Sequence, residues 1–154
     1  TLRFIGEVDG RQARDIDAAL AQLRMPCFPV VLAGIDYFGN SGKARALWVG
    51  VDPNPELERL QAKIEVAVQR AGLPPEGRKF KPHVTLARFK GNPGAKLQHF
   101  LTRNALFRGE PFEADEFVLY SSFLGRDGAI HTPEASYRLI APDRLANASG
   151  SLAG

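Results

Sequence analysis

One short string of residues occurs twice in this chain, and the second occurrence brings a matching neighbourhood with it. Thr1-Leu2-Arg3-Phe4-Ile5-Gly6 returns as Thr85-Leu86-Ala87-Arg88-Phe89-Lys90-Gly91, with one residue inserted. Each copy leads into an amphipathic helical pattern, then an apolar run ending near aromatic-Gly, then a turn and a short final strand. The element order thus predicts two similar halves. In front of the second copy stand a short apolar strand, Ala46–Val51, and a helix, Pro55–Ala71. The first copy shows neither in front of it. The repeat therefore predicts an equivalent strand and helix upstream of Thr1, roughly 35–40 residues. It also predicts a histidine two positions before Thr1, matching His83 before Thr85.

The remaining elements follow from local signals. Thr1 to Glu7 reads as a strand. Asp9 to Arg24 reads as a helix, with Asp9 and Gln12 as a capping box and Ile16, Ala19, Leu20 and Leu23 on its apolar face. Phe28 to Phe38 reads as one strand, the segment from Gly39 to Gly42 as a turn, and the Ala46 strand as its hairpin partner. Asn54 and Pro55 start the second helix, Leu57, Leu60, Ile64 and Val68 line it, and Gly72 closes it. Leu97, Phe100, Leu101, Ala105 and Leu106 mark a third helix. Phe112 to Phe123 reads as a strand or a bent pair of strands, Gly125 to Gly128 as a turn, and Ser136 to Ile140 as the last strand. Residues 1–146 are expected to form a single bilobal domain, and 147–154 a disordered tail.

The second copy carries the chemistry. Pro82 feeds a strand in which His83 and Thr85 alternate with Val84 and Leu86, so the two polar groups share one face. They stand roughly 6–7 Å apart along the strand, close enough for one phosphate to touch both. An imidazole beside a hydroxyl lines a cleft better than it fills a core.

Composition limits the rest. Apolar residues make up 44% of the 154, yet no apolar run approaches the ~18 needed to span a membrane. A formal charge of +3 suits a phosphate or nucleic-acid ligand without requiring one. Cys27 is the single cysteine, so no internal disulfide forms and a reducing, cytoplasmic setting is expected. Cys27 reads as a buried inert thiol. No His/Cys/Asp/Glu cluster is spaced for a metal. There is no phosphate-binding glycine loop, nucleophile elbow or Cys-x-x-Cys pair.

Pro82-His83-Val84-Thr85-Leu86-Ala87-Arg88, together with Thr1-Leu2-Arg3-Phe4-Ile5-Gly6-Glu7, resembles the paired His-x-Thr motifs of the two-histidine (2H) phosphoesterases. The chain looks most like their RNA 2',3'-cyclic phosphodiesterase branch, historically the 2'-5' RNA ligase family. The resemblance runs from Thr1 to Ile140. It implies an α+β fold of two pseudo-symmetric lobes, each an antiparallel sheet with helices on its outer face, around a central active-site cleft. It implies metal-independent opening of RNA 2',3'-cyclic phosphate termini to 2'-phosphates by a two-histidine acid/base mechanism, with no cofactor. Histidine suits both proton transfers because its ordinary pKa lies near working pH.

On this reading His83 is catalytic, and Thr1 and Thr85 hold non-bridging phosphate oxygens. Arg88 contacts substrate phosphate if a bulge or the strand's end turns it back to the His83 face, and is otherwise a surface salt bridge. Phe4 is read as core filler, Lys81 as solvated, His99 as a surface residue, and His131 as a turn residue outside the motif. The expected partners are RNA ends or cyclic nucleotides, with no membrane, and the expected state is a monomer. Competing readings are another 2H activity (opening an ADP-ribose cyclic phosphate, or 2'-5' ligation) and an RNA-end-binding module without turnover.

Overall fold

The structure is a computed structural model that describes residues 1–40, 42–126 and 128–141. The expected tail, 147–154, lies outside the described residues. The element order is α1 (Gly10–Ala21), β1 (Phe28–Val30), β2 (Leu32–Asn40), β3 (Lys43–Val51), α2 (Pro55–Arg70), β4 (His83–Arg88), α3 (Ala95–Arg103), β5 (Phe112–Ala114), β6 (Glu116–Gly125) and β7 (Gly128–Arg138). The class is α+β with antiparallel sheets. The chain divides into two compact units. One comprises Thr1–Leu2, Pro29–Pro55 and Arg78–Phe112; the other comprises Arg3–Phe28, Glu56–Gly77 and the chain from Glu113 onward. The short strands β1 and β5 lie where the chain passes from one unit to the other.

The first unit is a three-stranded antiparallel sheet in the order β2-β3-β4, with α3 on one face. Alternation along the strands decides which side chains face the helix. Leu47 and Ala44 of β3 pack with Leu97 of α3, and Ile35, Tyr37, Ala87, Phe89 and Leu101 surround them. The other face carries Phe38, Ala46, Trp48 and Gly50. Among the described residues β4 is an edge strand, paired on one side only. Its two aliphatic residues, Val84 and Leu86, are each 49% exposed. The side of β4 expected to be the greasier one is thus its more solvated one.

The second unit holds α1, α2 and the β6–β7 hairpin. Its core is Ile16 and Leu20 of α1, Leu60, Ile64, Ala67 and Val68 of α2, and Met25, Phe117, Tyr137 and Leu139. Burying each of the larger side chains stabilises the unit by about 1.5–3 kcal/mol. Both helices carry the ends written in their sequences. Asp9 accepts the Gln12 backbone N–H at 2.8 Å, capping α1. Gly72 has φ +96°, and its N–H and that of Leu73 reach back to the Gln69 and Val68 carbonyls. This is the Schellman closure of α2, which needs a left-handed residue at that point. Tyr137 stacks on Phe117 at 4.8 Å and donates to Asp17 Oδ1 at 2.5 Å.

Three expectations are corrected. Phe28 to Phe38 is broken at Val31 into β1 and β2. The last strand begins at Gly128 rather than Ser136. Thr1 to Glu7 forms no ladder, since a strand needs a neighbour to accept its backbone bonds and none lies beside this segment among the described residues. Side-chain bonds fix it instead. Arg3 Nε donates to Glu65 Oε2 at 2.5 Å, and an Arg3 Nη donates to the Pro74 carbonyl at 2.6 Å. Glu65 also accepts from the Gln69 amide and the Glu76 backbone N–H. Burial pushes the Glu65 carboxyl up, but these donors and the Arg3 charge hold it below the usual glutamate range.

Candidate active site

Pro82 brings the chain into β4, and its missing N–H costs the ladder nothing at a strand entrance. From there the register places every side chain. His83 stands opposite Gly50, Thr85 opposite Trp48 and Arg88 opposite Ala46. Gly50, Trp48 and Ala46 alternate along β3 and so share a face, and directly opposed residues lie on the same face of an antiparallel pair. His83, Thr85 and Arg88 therefore share one face, the one turned away from α3. Spacing alone would put Arg88 on the wrong side. The register shift between Leu47 and Trp48 leaves Leu86 as an extra residue on β4, and this bulge returns Arg88 to the His83 face. Ala87, opposite Leu47, packs on the helix side instead.

The imidazole is held from several directions. Its Nδ1 lies 2.7 Å from the Lys81 carbonyl oxygen. A carbonyl can only accept, so Nδ1 carries the proton and Nε2 is left as the nitrogen that can gain or lose one. Phe38 meets the ring edge-on at 4.9 Å, and Trp48 does so at 5.9 Å. Phe38 and Trp48 contact each other at 5.2 Å. The Lys81 ammonium sits 4.4 Å from the Trp48 ring centre and 5.6 Å from that of Phe38. The Trp48 Nε1 is a buried donor with no hydrogen-bond partner among the described residues.

Sequence reasoning placed His83, Thr85 and Arg88, which the structure brings together. It missed Phe38, Trp48 and Gly50 as their surroundings. The signal was the pairing of the Ala46–Val51 strand with the His83 strand, which short-range patterns do not reveal. Thr1 belongs to the same unit but is exposed and outside any ladder. Phe4 is 64% exposed and fills no core. His99 is exposed on α3 beside Lys96, Phe100 and Arg103. His131 lies in β7 opposite Ser122, not in a turn. Cys27, expected to be buried, is only half-buried, and desolvation together with Glu113 and Asp115 pushes its thiol up. Among the described residues no three or more His, Cys, Asp or Glu side chains gather as a metal site. No helix of the described chain is long and apolar enough to cross a membrane.

Comparison with known proteins adds what geometry leaves open. The profile described as LigT-like phosphoesterase matches residues 1–48 and 49–131. The chain belongs to this family. An RNA 2',3'-cyclic phosphodiesterase of Aeropyrum pernix is 42% identical over 92 residues, 59% of this chain and 52% of that protein. A protein of the same name from Archaeoglobus fulgidus is 31% identical over 132 residues, 85% of this chain and 73% of that one. The chain spans about half the length of several such relatives; for the Geobacillus stearothermophilus protein, 32% identical, the share is 46%. Among solved structures, TT0787 of Thermus thermophilus superposes with a TM-score of 0.76 at 25% identity, covering 92% of this chain and 78% of the other. Escherichia coli LigT complexed with 3'-AMP gives 0.72 at 24% identity, covering 90% and 75%. The LigT-like family thus accounts for the fold across both units.

Proposed function

We propose that the protein opens RNA 2',3'-cyclic phosphate termini to 2'-phosphates, with His83 as one of its two proton-transfer groups. The observation that carries this is the one-face array on β4: an imidazole with Nε2 free, a hydroxyl one pleat away, and a guanidinium returned by the bulge. Relatives named as RNA 2',3'-cyclic phosphodiesterases support the choice of substrate. In the reaction, water attacks phosphorus, the P–O3' bond breaks, and O3' takes a proton. His83 Nε2 either accepts the proton of the attacking water or supplies that of the leaving oxygen. A second imidazole does the other half, which is the two-histidine logic. The Thr85 and Thr1 hydroxyls donate hydrogen bonds to the non-bridging oxygens, and the Arg88 guanidinium offsets the charge that builds on them. Imidazole takes over the activation of water, so the reading is metal-independent and needs no cofactor.

The test is a single-turnover assay of the full-length protein on a 2',3'-cyclic nucleotide. His83→Ala should slow ring opening roughly 10²–10⁴-fold, and Thr85→Val roughly tenfold, the equivalent of one lost hydrogen bond. Excess EDTA should leave the rate unchanged. Normal turnover by His83→Ala would reject the assignment. Tight binding of 2'-phosphorylated ends with no turnover by the unmodified protein would favour an end-binding module instead.

A further inference from the structure

We propose that Lys81 is an anion-contacting residue of the His83 site, its ammonium resting on Trp48 until a substrate phosphate oxygen takes it. The proposal rests on the reading of His83 given above. Lys81 meets the site twice: its carbonyl accepts from His83 Nδ1, and its ammonium lies on the two rings that edge the imidazole. Backbone and side chain of one residue are thereby tied to the same few ångströms of space.

The ammonium has no carboxylate within ion-pair distance among the described residues, where Glu65, Glu76 and Asp52 pair with Arg3 and Arg108. The carboxylate that alternation places on this face is Asp36, opposite Trp48, and it accepts the Tyr37 backbone N–H at 2.8 Å. A cation resting on the face of an aromatic ring makes a modest contact. A charge-assisted bond to a phosphate oxygen is the stronger contact. Lysine, a compact charge on a flexible stem, can swing from one to the other.

The charge change in the reaction tells where this cation matters. A cyclic diester carries one negative charge; the 2'-monoester product carries close to two. A cation beside the phosphate therefore favours the later states over the starting one, which raises the rate rather than only substrate binding. Lys81 would thus select a phosphomonoester product and the transition state leading to it.

Trp48 is the single tryptophan of the chain, so its emission reports departure of the ammonium directly. The experiment uses the full-length protein, Lys81→Met, which keeps the apolar stem, and Lys81→Arg. Binding of adenosine 2'-monophosphate is measured by calorimetry, Trp48 emission is followed during titration with inorganic phosphate, and kcat and KM are taken on adenosine 2',3'-cyclic phosphate. Lys81→Met should bind the monophosphate roughly 10- to 100-fold more weakly, lower kcat more than it raises KM, and lose the phosphate-induced emission change. Lys81→Arg should recover most of the binding. If Lys81→Met is too unstable to assay, Lys81→Gln takes its place. Unchanged monophosphate binding and emission response in a folded Lys81→Met would overturn the proposal while leaving the His83 reading intact. Full turnover by His83→Ala alongside weakened binding by Lys81→Met would do the reverse.

Discussion

Opposite His83 in the ladder stands Gly50, and the site depends on its lacking a side chain. A Cβ there would lie 2.9 Å from the Ala33 carbonyl oxygen and 3.3 Å from the Trp48 ring. Both neighbours have to give: the Ala33 backbone, which stands too close for a Cβ, and the Trp48 ring, one of the two rings that edge the imidazole. Gly50→Ala should therefore lower kcat on a cyclic nucleotide about tenfold while the protein still folds, with a shifted Trp48 emission maximum as the physical readout. Wild-type kinetics and emission in that variant would show that the glycine does not serve the site. His83 and Thr85 were legible because a period of two is written in the residues themselves. Gly50, Trp48 and Phe38 were not, because what makes them neighbours of His83 is pairing between strands far apart in sequence. Phe4 failed for a related reason: an aromatic in an apolar string reads as core, but burial depends on what packs over it.

At the scale of elements, helices were most legible where caps and closing glycines mark their ends: α2 was read almost to the residue, whereas α1 ends at Ala21 rather than Arg24 and α3 at Arg103, short of Ala105 and Leu106. Gly72 is the clearest case. Gly72→Ala forces an alanine into a left-handed conformation at a cost of about 1–2 kcal/mol. The expected outcome is a lower urea midpoint with an unchanged slope; an unaltered midpoint would mean that α2 ends without needing the Schellman closure. Strands were less legible. β1 and β2 merged into one apolar run because the break falls on Val31 itself, between Pro29 and Gly34, and a valine does not announce one. Thr1 to Glu7 has strand composition, but composition cannot supply a ladder partner. A bulge, or the strand's end, could be stated in advance only as the condition under which Arg88 would serve, and its place at Leu86 could not, because a bulge belongs to a pair of strands and not to one.

For the molecule as a whole, ionisation sets a window of stability. The Glu65 carboxyl lies below its usual range. The Arg108 hydrogen bond does the same for Asp52. Groups depressed in this way stabilise the fold above the unfolded carboxylate range, about 3.9–4.3, and that stability is lost as pH falls through their folded values. Burial raises the Cys27 thiol, and burial together with Asp17 raises the Tyr137 hydroxyl. These favour the fold below their unfolded values, about 8.5 and 10, and the benefit fades as pH climbs through the folded ones. Stability should peak between about pH 5 and 8. Glu65→Gln should flatten the acid side of a urea-stability profile; an unchanged acid slope would exonerate that carboxylate. The order β2-β3-β4 has a kinetic side as well. β2 and β3 close through a tight turn, but β4 joins only after everything from Asp52 to Pro82 has been looped out. The long closure is entropically slow, and non-local strand pairing comes late in folding. His83 should thus be among the last residues to settle, and on the function proposed above a newly made chain would wait on its slowest strand before it could work.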